Sequence, residues 1–128
     1  MSKKAITVAN TPAAIGPYSK GYVAGGFVFT SGAGGRDPRT GRIVSEEIES
    51  QAEQACINIG EVLAAGGAGY EDVIKVNVYL ADMSYFDAFN EVYAKYFTSK
   101  PARTCVAVKE LPLGLLCELE AIAYIGEW

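Results

Sequence analysis

The stretch from Val73 to Leu80, which reads Val-Ile-Lys-Val-Asn-Val-Tyr-Leu, decides the fold class of this chain. Apolar and polar residues alternate along it, and a period of two indicates a strand with one buried face. The apolar face is predicted to consist of Ile74, Val76, Val78 and Leu80. Segments with helical periodicity flank the strand on both sides, so the chain is expected to fold as a sheet covered by helices.

The upstream helix is predicted from apolar residues at three- and four-residue intervals between Ile48 and Val62. Ser45 is its predicted N-cap, and Gly66-Gly67 is its predicted end. The downstream helix is predicted to begin at Ser84, with Asp87 three residues later as a weak capping box. This second helix carries an aromatic stripe that consists of Phe86, Phe89, Tyr93 and Tyr96-Phe97.

A β-hairpin is predicted at each end of this central arrangement. The first joins Gly21–Ala24 to Phe27–Ser31 through Gly25-Gly26, a pair that supplies the positive φ of a two-residue turn. The second joins Arg103–Leu111 to Leu115–Ile125. The expected order is therefore hairpin, helix, strand, helix, hairpin, which makes an α+β fold with both helices on one face of the sheet.

Length, composition and charge narrow the class of protein. The chain has 128 residues, of which 50% are hydrophobic and 20% charged, and its net charge is −4. One domain spanning residues 1–128 fits this length. Neither a signal peptide nor a membrane span is predicted, so we expect a cytoplasmic protein without membrane association. The acidic balance repels phosphates, so no nucleic-acid partner is expected.

The chain contains no histidine, and this absence removes Ser-His and Cys-His nucleophilic sites and histidine-bound zinc. Chemistry must then use carboxylates, arginine, tyrosine, lysine, thiols, backbone groups and water. The three cysteines match no metal-ligand spacing and are expected to be buried thiols in a reducing compartment. They are Cys56, Cys105 and Cys117.

The predicted C-terminal hairpin carries the candidate charged site. If its two strands pair with their apolar faces matched, Arg103 and Cys105 fall on the same side as Glu118 and Glu120. Two helices cannot cover both faces of the sheet, so this mostly apolar second face predicts contact between subunits. An ordinary interfacial ion pair fits this pattern at least as well as a catalytic arrangement.

The glycine-rich stretch Gly32-Ala33-Gly34-Gly35-Arg36 follows a strand, which raises the possibility of a phosphate cradle. It lacks the Gly-Lys-Ser/Thr ending and does not lead directly into a helix. A flexible loop is therefore the simpler interpretation.

Several motifs resemble the Rid family, the reactive intermediate deaminases that are also called endoribonuclease L-PSP proteins. They follow one another in the family's order over nearly the whole chain. The motifs are Ala14-Ile15-Gly16-Pro17-Tyr18-Ser19, Phe27-Val28-Phe29-Thr30-Ser31-Gly32, Asn90-Glu91-Val92-Tyr93, Pro101-Ala102-Arg103-Thr104-Cys105-Val106, Leu111-Pro112 and Glu118-Leu119-Glu120-Ala121-Ile122-Ala123. The chain departs from the family at Ala33, where a glutamine is usual, and this change leaves the substrate open.

The resemblance implies a chorismate-mutase-like fold with a mixed sheet of about six strands, assembled as a homotrimer with active sites between subunits. It implies cofactor-free hydrolysis of 2-imino acids, such as 2-iminobutanoate and 2-iminopropanoate, to 2-keto acids and ammonia. By resemblance, Arg103 binds the substrate carboxylate, Glu118 orients the water, Tyr18 contacts the substrate and Cys105 contributes through its backbone. The substrate-binding set also includes Ser31 and Gly32.

The chemistry of these residues agrees with the implied roles. A guanidinium can bind a carboxylate through two hydrogen bonds, and a glutamate can activate a water for attack on an electrophilic imine. Glu120 lies two residues from Glu118 and could exchange roles with it. Two other functions stay open, namely a carboxylate-binding or chaperone-like trimer without catalysis and, less favoured by the acidic charge, an endoribonuclease or translation inhibitor.

Overall fold

The computed structural model describes residues 3–126, which form one mixed sheet with two α-helices. The helices are α1 (Ile48–Ala65) and α2 (Phe86–Tyr96). The strands are β1 (Lys4–Ala5), β2 (Gly21–Ala24), β3 (Phe27–Thr30), β4 (Ala33–Gly34), β5 (Val73–Leu80), β6 (Ala102–Ala107) and β7 (Cys117–Tyr124). Their order in the sheet is β1-β2-β3-β7-β5-β6, with β4 also paired to β7. The predicted α+β fold with two helices is confirmed.

The core lies between the helices and one face of the sheet. Every second residue of β7 is buried there, from Cys117 to Ala123, because side chains alternate between the two faces of a strand. The largest fully buried side chains come from both layers and include Phe89, Phe97, Ile59, Leu63, Leu80 and Leu119. One continuous apolar cluster thus fixes the sheet against both helices.

The predicted C-terminal hairpin is wrong. Strand β6 pairs in parallel with β5, with Arg103 opposite Val76, and β7 pairs antiparallel with β5 on its other side. Helix α2 explains this order, because a helix that crosses over the sheet returns the chain parallel to the strand it left. Strand β7 then inserts between β3 and β5 rather than folding back on β6.

The faces assigned to the two C-terminal strands are therefore also wrong. Arg103 and Cys105 pair with buried Val76 and Val78, so their side chains lie on the helix-covered face. Glu118 and Glu120 pair with Tyr79 and Asn77 on the opposite, open face. The prediction failed because it paired the two strands with each other. Each of them pairs with β5 instead, and that pairing sets the direction of the side chains of β6 and of β7 separately.

The first hairpin is confirmed. Strands β2 and β3 pair antiparallel through Gly25 and Gly26, whose φ angles are 56° and 85°. Both positions need a left-handed backbone, which glycine adopts without steric cost. In β5 a bulge between Val73 and Lys75 turns Ile74 to solvent, so the prediction that Ile74 is buried is wrong.

The helix starts differ from the predicted ones by two residues. Ser45 Oγ accepts a hydrogen bond from the Glu47 amide at 3.1 Å, but α1 begins only at Ile48. Before α2, the Asp82 carboxylate accepts a bond from the Ser84 amide at 2.8 Å and begins a 3-10 turn over Met83–Tyr85. Capping side chains thus occur near both predicted starts. They stabilise the turn that precedes each α-helix and do not cap the α-helix itself.

Large apolar and aromatic side chains are exposed on the open face of the sheet. Tyr22, Phe29 and Tyr124 lie there on β2, β3 and β7, and Val106 lies on β6. Exposed apolar side chains of this kind are typical of a surface that contacts another molecule. Within residues 3–126, neither helix is long and apolar enough to cross a membrane.

Candidate active site

A break in the sheet creates the first half of the candidate site. Strands β3 and β4 both pair with β7, and the chain leaves the sheet between them at Ser31 and Gly32. Thr30 Oγ1 accepts the Ala121 amide at 3.0 Å in place of a backbone carbonyl. Interruptions of this kind redirect side chains and backbone, and here they open a cleft of about 500 Å³ above β7.

Glu118 lies in this cleft next to Gly32. A Cβ atom at position 32 would lie only 2.7 Å from Glu118 Oε2, so the carboxylate occupies the space of the missing side chain. Burial and the neighbouring charge of Glu120 raise the pKa of Glu118. No side chain within residues 3–126 donates a hydrogen bond to this carboxylate. Glu118 is thus a half-buried base available to a water or a substrate.

Glu120, in contrast, is held by its neighbours on β5. Its Oε2 accepts hydrogen bonds from Asn77 Nδ2 at 3.0 Å and from the Tyr79 hydroxyl at 2.9 Å. The Tyr79 bond to Glu120 is the main cause that raises the pKa of the Tyr79 phenol. Because one oxygen of Glu120 already accepts two hydrogen bonds from β5, Glu120 is the anchored member of the pair, and the geometry favours Glu118 as the reactive one.

Tyr18 and Ser31 complete the wall of the cleft. Tyr18 is 45% exposed, and its hydroxyl accepts the Ile15 amide at 3.4 Å. Ser31 Oγ donates to the Ser19 carbonyl at 2.6 Å, which ties the break in the sheet to the Tyr18 segment. The structure therefore brings together four of the sequence-predicted residues, namely Tyr18, Ser31, Gly32 and Glu118. We call this group the Glu118 half-site.

Two buried polar residues of α1 hold backbone segments beside the cleft, Asn58 the glycine-rich segment and Gln51 the residue before β7, and the sequence analysis predicted neither. Asn58 Nδ2 donates to the Gly34 carbonyl at 3.0 Å and to the Arg36 carbonyl at 2.9 Å. Gln51 Oε1 accepts the Leu116 amide at 2.8 Å. A polar residue on the apolar face of a predicted helix is the signal that could have identified them, since buried amides need partners.

The glycine-rich segment is part of the sheet and not a phosphate cradle. Ala33 and Gly34 pair with Leu119 and Glu118 of β7. At Gly35 a Cβ atom would lie 2.5 Å from the Cα of Gln51, so this residue lets the segment pack directly on α1. The glycines thus serve close backbone packing.

Arg103 lies in a second pocket, on the helix-covered face. Its guanidinium carbon is 4.7 Å from the centre of the Tyr93 ring and 5.7 Å from that of Phe86, both on α2. The aromatic rings orient the guanidinium and leave its edge available for hydrogen bonds. Among residues 3–126, no carboxylate forms a salt bridge with Arg103. We call Arg103 and its pocket the Arg103 half-site.

Two further polar atoms line the Arg103 half-site without a partner. The Asn90 side-chain oxygen and the Tyr93 hydroxyl are buried, and neither has a hydrogen bond within residues 3–126. Burial raises the pKa of Tyr93 to about 12, even though Arg103 acts in the opposite direction. Unsatisfied buried polar groups are rare and costly, so their presence indicates a site that another group completes.

Cys105 follows two residues after Arg103 on β6 and faces the same side. Burial raises the pKa of its thiol despite the nearby Arg103 charge, so the thiol stays protonated at neutral pH. No histidine exists to activate it. Cys56 and Cys117 are buried as predicted, whereas Cys105 is only half-buried. The residues from 3 to 126 contain no cluster of acidic residues and cysteines that could hold a metal ion.

Comparison with known proteins places this arrangement in a family. A family model described as Endoribonuclease L-PSP matches residues 8–125. A RutC family protein of Pyrococcus horikoshii is 50% identical over 123 residues, which are 95% of this chain and 98% of that protein. Human 2-iminobutanoate/2-iminopropanoate deaminase is 41% identical over 125 residues, which are 97% of this chain and 91% of the human protein.

A solved structure confirms the fold. The crystal structure of E. coli TdcF with bound serine matches with a TM-score of 0.90 at 38% identity, over 94% of this chain and 98% of TdcF. The α+β sheet with two helices is thus the architecture of this class of proteins. The chain belongs to the endoribonuclease L-PSP family, also known as the Rid or RutC family, as its motifs predict.

Proposed function

We propose that this protein hydrolyses small 2-imino acids to 2-keto acids and ammonia, as a homotrimer with its active sites between subunits. The observation that carries the proposal is the chemistry of the two half-sites. Among residues 3–126, Glu118 in the first half-site forms no salt bridge with a cation and Arg103 in the second forms none with an acid, and the two lie on opposite faces of one sheet.

The half-sites complement each other across a subunit boundary. Arg103 of one subunit binds the carboxylate of the imino acid through two parallel hydrogen bonds. Glu118 of the next subunit accepts a proton from a water, whose oxygen attacks the imine carbon, and passes this proton on to the imine nitrogen. The carbinolamine that results loses ammonia, and the carbonyl of the keto acid forms. Water is the only co-reactant.

The open face of the sheet supports the assembly. It exposes Phe29, Tyr124 and Val106 around the charged residues, and an apolar face is stable in water only when it is covered. In the homotrimer the open face of one subunit packs against the next subunit at β6, the last strand of the sheet, so that the Glu118 half-site of one subunit meets the Arg103 half-site of another.

The relatives support the activity. Proteins named 2-iminobutanoate/2-iminopropanoate deaminase are 41–43% identical over 97% of this chain. The solved relative TdcF was crystallised with bound serine. Serine is similar in size to a small 2-imino acid and, like it, carries a carboxylate next to a carbon bonded to nitrogen. Endoribonuclease activity, which the family name mentions, is disfavoured here by the acidic net charge and the absence of histidine.

The test is a trapping assay. An amino-acid oxidase generates 2-iminobutanoate, semicarbazide traps what has not been hydrolysed, and the wild type is compared with Arg103→Ala. We expect the wild type to suppress the semicarbazone and the variant to lose at least about a hundredfold in rate. Lys109→Ala, an exposed residue outside both half-sites, serves as the control. If the wild type binds 2-keto acids but leaves trapping unchanged, the protein is a carboxylate-binding module and the proposal is wrong.

A further inference from the structure

A small cavity lies beneath the Glu118 half-site and carries a chemistry that the proposed mechanism does not use. Its volume is about 40 Å³, which exceeds the space that one water requires and suits a group of a few atoms. Lys20 and Arg36 line it, together with Thr11 and Asn58. No acidic residue lines it within residues 3–126.

The two cations are held rigidly by uncharged groups. The Lys20 ammonium donates to Thr11 Oγ1 at 2.7 Å and to the Pro12 carbonyl. Arg36 Nε donates to the Gly41 carbonyl at 2.9 Å, and its Nη1 donates to the Ala13 carbonyl at 3.3 Å. Each side chain keeps N–H groups that these contacts do not use, because an ammonium has three donors and a guanidinium five.

The repulsion between these cations is not relieved by the protein. Burial, followed by the charge of Arg36, lowers the pKa of Lys20. In residues 3–126 the single salt bridge joins Arg39 to Asp37, so neither cavity cation has an acidic partner. Two half-buried like charges without a counter-ion are unfavourable, and an anion in the cavity would stabilise both.

The cavity is continuous with the cleft above it. Tyr18, Ser31, Gly32 and Arg36 line both spaces. Ala33, which also lines the cavity, contributes only a methyl group to its wall. A molecule whose reacting carbon lies beside Glu118 can therefore place a second small group against Lys20 and Arg36.

We propose that this cavity binds the distal carboxylate of a dicarboxylic 2-imino acid, so that the protein prefers imines of acidic amino acids. The inference rests on the proposed imine hydrolysis. The α-carboxylate of such a substrate lies on Arg103 of the neighbouring subunit, and its second carboxylate lies between Lys20 and Arg36. Water adds to the imine carbon and ammonia leaves, which yields a dicarboxylic 2-keto acid.

The first test compares two imines with the same protein. An L-glutamate oxidase generates 2-iminoglutarate, another oxidase generates 2-iminobutanoate, and semicarbazide trapping measures both rates. We expect kcat/KM of the wild type to be at least about tenfold higher for 2-iminoglutarate, which corresponds to one well-placed ionic contact. Arg36→Gln and Lys20→Gln each lower this ratio at least about fivefold, whereas Arg39→Gln, an exposed arginine in the same loop, leaves it unchanged. An unchanged ratio in both cavity variants overturns the inference.

The second test separates this inference from the proposed function. Calorimetry compares binding of the stable keto acids 2-oxoglutarate and 2-oxobutanoate, with circular dichroism as a check of folding. Tighter binding of 2-oxoglutarate that depends on Arg36 supports the dicarboxylate site even if no imine is hydrolysed. Hydrolysis of 2-iminobutanoate together with equal binding of the two keto acids sinks the dicarboxylate site and leaves the proposed function standing.

Discussion

Arg103 and Glu118 of one chain lie on opposite faces of the same sheet, on strands that flank β5 from its two sides. They cannot act on one small substrate within a single subunit. The geometry therefore leads to a prediction about mixed assemblies, in which one subunit lacks the guanidinium and its neighbour lacks the carboxylate.

Arg103→Ala and Glu118→Ala are each expected to be inactive in the trapping assay. When equal amounts are unfolded, mixed and refolded, about three quarters of the proposed trimers, if assembled at random, contain both variants, and each of these has one intact site of three. Activity should therefore recover to about a quarter of the wild-type value. Variants that are mixed without unfolding serve as the control, and a failure to recover activity in verified mixed trimers contradicts a site between subunits.

Gly32→Ala tests the contact that positions Glu118. The new Cβ atom would lie 2.7 Å from Glu118 Oε2, which forces the carboxylate to move. We expect a loss of about tenfold or more in kcat, because a catalytic base must stay within hydrogen-bond reach of its water. Gly25→Ala, at a positive φ in the first hairpin, is the control, since it lowers stability without touching Glu118. Unchanged turnover in Gly32→Ala would rule out a catalytic carboxylate at this place.

The pH dependence of the reaction follows from the raised pKa of Glu118. A base acts only when it is deprotonated, so kcat/KM should fall as the pH decreases through this raised pKa. Glu120→Gln removes the neighbouring negative charge, which lowers the pKa of Glu118 and moves the acidic limb to lower pH. Glu110→Gln, an exposed residue outside the cleft, should leave the profile in place. If the acidic limb of the Glu120→Gln variant lies at the same pH as that of the wild type, a group other than Glu118 titrates there.

Tyr93 is predicted to act on Arg103 through its ring and not through its hydroxyl. Tyr93→Leu removes the ring 4.7 Å from the guanidinium, and a cation–π contact of about 1–2 kcal/mol corresponds to a KM raised roughly 5- to 30-fold. Tyr93→Phe keeps the ring and should change KM by less than about threefold. A large KM effect in the Phe variant would instead assign the buried hydroxyl to substrate binding.

Asn58 is expected to contribute more to stability than any exposed polar residue of α1. Asn58→Ala removes the side-chain donor of the Arg36 carbonyl and one of the two donors of the Gly34 carbonyl, at a cost of about 2 kcal/mol in the free energy of unfolding. Gln54→Ala removes only the partner of the Asn58 side-chain oxygen and should cost less than about 1 kcal/mol. Urea unfolding of the two variants measures both values, and equal costs would show that the carbonyls find other donors.

Local patterns predicted the elements of this fold well. The alternation in Val73–Leu80, the Gly25-Gly26 turn and the helical spacing from Ile48 each reflect backbone geometry over a few residues. The site residues Tyr18, Ser31, Gly32 and Glu118 were identified through family motifs, and the structure gathers them in one cleft. From composition and periodicity alone, an ordinary ion pair between Arg103 and a glutamate is at least as good an interpretation as a catalytic role.

Long-range pairing was not predictable in the same way. The two C-terminal strands have the spacing of a hairpin, but the choice between β7 and β5 as the partner of β6 depends on the crossover through α2. The roles of Gln51 and Asn58 also depend on segments far away in the sequence. Periodicity carries no information on which distant backbone groups need a donor.

The sequence by itself determined which segments form helices and strands, where the turn of the first hairpin occurs and which chemical groups are available without histidine. These properties depend on side-chain type and on neighbours a few residues away. Only the tertiary structure decided that Arg103 and Glu118 lie on opposite faces, that Glu120 is engaged by Asn77 and Tyr79, and that Lys20 and Arg36 share a cavity. Those relations depend on strand order, because the partner of each strand sets the direction of its side chains and the neighbours of each charge.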